Sequence, residues 1–177
     1  MKIFAITGST RYNSNNFKIL KFISEKINPR FEVEIFEGLD EIPHFNPDID
    51  THNPPENVVS FRDKIISADG IIICTPEYIF SLPGSLKNAF EWCVSTTIFL
   101  NKPVGLITAS VSGKMGHEEL LLIMKTLDAK FEKHNQLLIS GIKGKIDAQG
   151  KITNKETLIA LQNFIQNFES QFSNELI

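Results

Sequence analysis

Gly70-Ile71-Ile72-Ile73-Cys74-Thr75 offers no polar side chain before its last residue. A strand of that kind has to be covered on both faces, which is the condition inside a parallel sheet. Lys2–Thr7 and Pro103–Ala109 have the same character. Phe31–Phe36 alternates instead, with Phe31, Val33 and Ile35 on one side and Glu32 and Glu34 on the other, as expected of a strand near an edge. Leu137–Ser140, closed off by Gly141 and Gly144, is a fifth candidate strand.

Helical periods separate these runs. Phe17, Leu20, Ile23 and Ile27 share one helical face, with Lys18, Lys21 and Glu25 turned away. Leu120, Ile123, Met124, Leu127 and Phe131 repeat the pattern, and Leu158, Leu161, Ile165, Phe168 and Phe172 follow at spacings of 3, 4, 3 and 4. Two heptads are too few for a coiled-coil seam, so the last run predicts a helix packed on the sheet. Strand and helix alternating about five times give a parallel α/β sheet with right-handed crossovers. One domain over 1–177 is expected, without repeats or an interdomain linker. Ligands of such sheets bind beyond the carboxyl ends of the strands, which directs attention to the loops after Thr7, Thr75 and Ala109. The long stretch Glu37–Asn57, anchored by Leu39, Ile42 and Phe45, is either a functional loop or a tethered surface connection.

Charge and composition exclude several classes. A net charge of −3 lacks the basic footprint that phosphate-backbone binding needs, so no nucleic-acid partner is expected. No segment approaches the roughly 20 apolar residues that cross a bilayer, and Met1–Thr7 reads as a strand rather than a signal peptide. Cys74 and Cys93 lie in apolar surroundings without metal-ligand spacing, so no metal site is expected. A reduced, cytoplasmic protein fits all three features.

The first loop, Gly8-Ser9-Thr10-Arg11-Tyr12-Asn13-Ser14-Asn15-Asn16, leads into a helix. A helix N-terminus has free N–H groups and a partial positive charge, and Arg11 offers a fork of donors suited to phosphate oxygens. The competing reading is that Ser14 or Asn15 merely caps the helix while Arg11 is solvated. The loop has no Gly-Lys-Ser/Thr ending, no G-x-G-x-x-G and no cysteine, so NTPase, dinucleotide-fingerprint and thiol-phosphatase chemistry are all excluded. A phosphate cradle without a nucleophile suggests a monophosphate anchor for a cofactor.

The second loop continues as Pro76-Glu77-Tyr78-Ile79-Phe80-Ser81-Leu82-Pro83-Gly84-Ser85-Leu86-Lys87-Asn88-Ala89-Phe90-Glu91-Trp92. It resembles the P-E-Y-N-x-S-x-P-G-x-L-K-N-A-x-D-W signature of the NADPH-dependent FMN reductase family, which includes azo-dye, quinone and chromate reductases. Gly8, Ser9, Arg11, Ser14 and Asn16 match the family's G-S-x-R-x-x-S-x-N. Phe61-Arg62 and Ala68-Asp69-Gly70 extend a likeness that spans essentially the whole chain. Ile79 departs from the usual asparagine, and Glu91 from aspartate.

The resemblance implies a flavodoxin-like, doubly wound five-stranded parallel sheet of order 2-1-3-4-5 with helices on both faces. It implies that Ser9, Arg11, Ser14, Asn15 and Asn16 hold the phosphate of FMN, and that Pro76, Glu77, Tyr78 and Ile79 line the flavin ring largely through backbone groups. In the third loop Ser110 and Gly113 are candidates for the ring, and the amides of the following helix, near Gly116, are candidates for stabilising charge on it. His117 is either a substrate contact or a solvated loop histidine. Trp92 reads as core packing, and Lys114 is a candidate for the 2′-phosphate of NADPH. The implied activity passes reducing equivalents from NADPH or NADH to a small-molecule acceptor by a ping-pong scheme, with no catalytic side chain named because the hydride chemistry is the cofactor's. An FMN-binding electron carrier of flavodoxin type is the alternative. Apolar residues on several faces of the helix from Pro83 to Val94, followed by Ile98, Phe99 and Leu100, point to a homodimer or homotetramer, unless Glu37–Asn57 folds over them in a monomer.

Overall fold

The computed structural model describes residues 1–50 and 53–172. Among them the chain alternates β1 (Lys2–Thr7), α1 (Asn15–Lys26), β2 (Glu32–Phe36), α2 (Glu56–Ser67), β3 (Gly70–Thr75), α3 (Gly84–Glu91), β4 (Val104–Ala109), α4 (Lys114–Thr126), β5 (Gln136–Ile139) and α5 (Lys155–Ser170). The strands form one sheet in the order β2-β1-β3-β4-β5, and every neighbouring pair is parallel. This is the flavodoxin-like arrangement.

The position of each strand explains its sequence. β3 and β4 are inner strands, and all of their residues are buried. Ile3, Ala5, Ile72, Cys74 and Ile107 face α1 and α5, whereas Phe4, Ile6, Ile71, Ile73 and Leu106 face α2, α3 and α4. β2 is an edge, and its alternation holds: Val33 and Ile35 pack toward α1 and α5, while Glu34 on the other face pairs with Lys64 of α2. Two strand glycines have a packing role. A Cβ on Gly105 would meet Phe164 Cζ at 2.6 Å, and one on Gly70 would meet Phe172 Cζ at 2.6 Å, so α5 and the residue just past its end lie directly against bare backbone.

α3 departs from its expected bounds, ending at Glu91 with Trp92 as C-cap. Its surplus of apolar residues is covered by the chain itself. Phe45 N donates to Asn88 Oδ1 at 2.7 Å, and both Asn88 Nδ2 and Trp92 Nε1 donate to Pro43 O, at 3.0 and 2.8 Å. The ring of Phe45 meets Trp92 edge-on, with centroids 5.1 Å apart, and Leu39 and Ile42 enter the same core. Arg62 of α2 fastens the far end, pairing with Asp50 at 2.7 Å and donating to Trp92 O. The stretch Glu37–Asn57 is thus the tethered connection, although its residues 51 and 52 lie outside the described residues. Leu86, Ala89, Phe90, Trp92 and Cys93 are buried without a second chain, and Val94 and Leu100 remain exposed. Trp92 is core, as its sequence position suggests.

Candidate functional site

The chain leaves β1 for β2 on one side of the sheet and returns to β3 on the other. The order reverses between the loop after β1 and the loop after β3, the switch point beyond whose strand ends such sheets bind ligands, and these two loops border that crevice. Gly8 begins the first loop by donating to Cys74 O at 2.8 Å. A Cβ there would lie 2.2 Å from Thr75 Oγ1, so only glycine lets the loop depart this close to β3. Ser9 is buried and its Oγ accepts from Arg11 N at 3.3 Å. Ser14 is the N-cap of α1, and its Oγ accepts from Phe17 N at 3.1 Å. For Ser14 the capping reading therefore holds. Asn16 is buried with Oδ1 turned to the sheet, where it accepts from the Cys74 thiol at 3.4 Å.

What remains open is backbone and cation. Asn15 and Asn16 occupy the first two helical positions, whose N–H groups have no partner in their own helix, and the first turn carries no acid. Arg11 is exposed and takes part in no salt bridge among the described residues. Beneath the loop the hydroxyl of Thr7 is buried and lacks a hydrogen-bond partner among the described residues. The donor set suits a compact dianion.

The second loop is held by its acid. Glu77 Oε1 accepts from Gly113 N at 2.9 Å and Oε2 from Gly116 N at 2.8 Å. The bond from Gly116, opposed by desolvation and reinforced by Gly113 and Met115, holds this carboxyl below the usual glutamate range. Gly113, in the left-handed region at φ +87°, has no side chain with which to cap α4, and Glu77 does so from a distance. This narrows the expectation for the third loop: Glu77 occupies the amides of Gly113 and Gly116, so these two do not face a ligand. Glu119 of α4 returns the contact, accepting from Ser81 Oγ at 2.6 Å and Leu82 N at 2.9 Å. Ser110 is buried, and its Oγ donates to Glu77 O at 3.3 Å.

With its side chain anchored, the loop turns tightly. Tyr78 N donates to Ser81 O at 2.9 Å and Ser81 N to Tyr78 O at 3.1 Å, and Ile79 and Phe80 between them have φ of +52° and +59°. Two successive positive φ values are the mark of a type I′ turn. Pro76 is buried, whereas Tyr78, Ile79 and Phe80 project, with Ile79 96% exposed. His117 is not a solvated loop histidine: it is half-buried in α4, bonded through Nδ1 to Thr108 Oγ1 at 2.9 Å. Desolvation lowers its pKa against the opposing charge of Glu118. Lys114 is exposed at the start of α4.

The structure thus gathers Ser9, Arg11, Ser14, Asn15 and Asn16 on one lip of the crevice. Pro76, Glu77, Tyr78 and Ile79 form the other, braced by Ser110 and Gly113. Sequence reasoning missed Thr7 and Glu119. A threonine closing a buried strand gives a faint signal for the first, and nothing in the order of residues pairs Glu119 with a loop 37 positions earlier.

A family model described as NADPH-dependent FMN reductase matches residues 1–143. A Vibrio ruber protein named NADH:(hydroxy)cinnamate reductase subunit is 30% identical over 95% of this chain and 85% of its own length. A 2-hydroxy-1,4-benzoquinone reductase of a Burkholderia species is 29% identical over 95% of this chain and 94% of its own. Among solved structures, the flavoenzyme NAD(P)H:(acceptor) oxidoreductase of Paracoccus denitrificans superposes with a TM-score of 0.73. Its identity is 23%, covering 96% of this chain and 95% of the other, and that likeness concerns the fold.

Proposed function

The chain belongs to the NADPH-dependent FMN reductase family, and from that premise we propose that it passes reducing equivalents from NADPH or NADH to flavin, quinone, azo or metal-ion acceptors. FMN, when bound, supplies the electron transfer between the two substrates. The protein's share is to bind, orient and leave one side open.

One observation carries the reading. A helix N-terminus without an acid, beside Arg11, which has no salt bridge among the described residues, faces a loop whose only carboxylate is tied elsewhere. Arg11, Ser9 and the amides of Asn15 and Asn16 hold the phosphate, while Ser14 and the inward side chain of Asn16 keep those amides in place. The backbone of Pro76, Glu77, Tyr78 and Ile79 borders the ring, and Ser110 and Gly113 support it from behind. Glu77 acts by position, because its carboxylate fixes the second loop to α4. The whole chain, 1–177, serves as one FMN-binding domain.

Tyr78, Ile79 and Phe80 give the acceptor a projecting, largely apolar rim. The two relatives described above are named for planar, conjugated ring-bearing acceptors, a cinnamate and a benzoquinone, which suit such a rim. Donor and acceptor use the same open side in turn, so the steady-state pattern is ping-pong. A homodimer or homotetramer would form along the cleft between α3 and α4, where Val94 and Leu122 are exposed beside Phe90 and Ile123. Two buried free thiols suit the cytoplasm.

A visible spectrum of the purified protein tests the reading. It is expected to show bound flavin, to favour FMN over riboflavin, and to bleach on addition of NADPH or NADH. Flavin binding without bleaching by either nicotinamide would make the protein an electron carrier, and equal affinity for FMN and riboflavin would remove the phosphate anchor.

A further inference from the structure

A groove of about 640 Å³ runs beside the first loop and has no part in the function proposed above. One wall is a stripe of α1 carrying Phe17, Lys21, Phe22 and Lys26, and the other is the turn at 148–152 with Leu158 of α5. Asn13, from the first loop itself, stands at the end of the groove. From Phe17 to Lys26 the helix rises about 13 Å at about 1.5 Å per residue, enough for a nucleoside monophosphate laid along it.

The opposite wall is built rather than loose. Asp147 N donates to Lys151 O at 3.0 Å, Gly150 N to Asp147 O at 3.1 Å, and Lys151 N to Asp147 Oδ1 at 2.8 Å. Gly150 adopts φ +91°, which closes the turn. Lys18 Nζ donates to Asp147 O and Ala148 O at 3.2 and 3.3 Å, fastening the turn to α1. The Asp147 carboxylate is engaged inside the turn. Glu25 is then the one acid lining the groove among the described residues, against Lys18, Lys21, Lys26 and Lys151. On a chain of net charge −3, this is a local concentration of positive charge that favours an anion. Phe17, Phe22, Ile152 and Leu158 add the apolar surface that a flat ring needs.

We propose that this groove is an adenylate subsite that receives the adenosine-monophosphate half of FAD, with the flavin-side phosphate at the first loop. The inference rests on the phosphate-anchor reading of that loop. FMN ends at the anchor, and FAD continues past Asn13 into the groove. Lys21 and Lys151 neutralise the second phosphate, and the phenylalanines receive the adenine.

Apo-protein titrated with riboflavin, FMN and FAD by fluorescence, and with ADP by calorimetry, tests this. The parent should bind FAD within tenfold of FMN or more tightly, and should bind ADP. The double variant Lys21→Glu, Lys151→Glu should lose at least tenfold in FAD affinity and its ADP binding, with FMN affinity kept within twofold. FAD binding more than tenfold weaker than FMN in the parent, or a double variant that weakens both flavins alike, overturns the subsite. FMN binding no tighter than riboflavin would instead overturn the anchor, and ADP would then decide alone. ADP binding abolished by the double variant keeps the subsite, and ADP binding absent in the parent or unchanged in the variant removes it.

Discussion

Ile79 is a β-branched residue held at φ +52°, a backbone region that costs a non-glycine residue on the order of 1–3 kcal/mol. It stands where the family pattern has asparagine, which tolerates that region because its short side chain can bond locally. Ile79→Asn should therefore stabilise the protein by about 1 kcal/mol. Urea unfolding measures it, and an unchanged midpoint would mean that the isoleucine has a compensating contact. Arg11 is the opposite case, an exposed cation with no salt-bridge partner among the described residues. Arg11→Ala should weaken FMN binding by about 1.5–3 kcal/mol, the worth of a charge-assisted hydrogen bond, and leave the circular dichroism of the apo-protein unaltered. Undiminished FMN affinity would make Arg11 a bystander. At this scale the sequence shows which residues line the crevice better than it shows which way they point. Ser14, Asn16 and Glu77 all lie on the lips, yet their side chains serve a cap, a thiol and a distant helix. Those orientations depend on partners 3, 58 and 36 positions away, and the longer separations leave no periodic trace.

Elements were legible in proportion to how fully they are buried. β1, β3 and β4 announce themselves because covering both faces leaves no room for polar residues, and β2 alternates because it is an edge. α2 is less visible: Val58, Phe61 and Ile65 are its buried residues, and they follow directly on the Pro- and Asp-rich stretch. α3 left two readings open for a definite reason. Apolar residues on several faces imply a second partner, but not whether that partner belongs to the same chain. Here it does, through Asn88, whose amide serves the backbone of both Pro43 and Phe45. Asn88→Ala should cost about 1–3 kcal/mol by leaving the half-buried Phe45 N–H unpaired, while Pro43 O keeps Trp92 Nε1. It should also raise the susceptibility of the 37–50 segment to proteolysis. Unchanged stability together with unchanged cleavage would show that Phe45, Trp92 and Arg62 hold the segment without it.

For the molecule as a whole, the sheet order followed from the family likeness, whereas assembly rests on surface that the fold leaves uncovered. Light scattering at micromolar concentration should give a mass of two or four times 20.0 kDa. A monomer with full reductase activity would end the oligomer reading, and a charge introduced at Leu122, as Leu122→Glu, should shift an oligomer toward monomer without altering the flavin spectrum. The bridge from Glu77 to Gly113 and Gly116 also links the shape of the crevice to proton concentration. A carboxyl whose pKa is lower when folded stabilises fully above the unfolded value, near 4.3, and loses that contribution as pH falls through the folded value. Acid should therefore open this end of the sheet before it reaches the buried strands. Protection factors for the amides of Gly113 and Gly116 should fall below about pH 4 while those of β3 and β4 persist, and in Glu77→Gln that acid-driven loss should be smaller. If all of these amides lost protection together, the crevice would have no separate acid response, and protonation of Glu77 would act only through global unfolding.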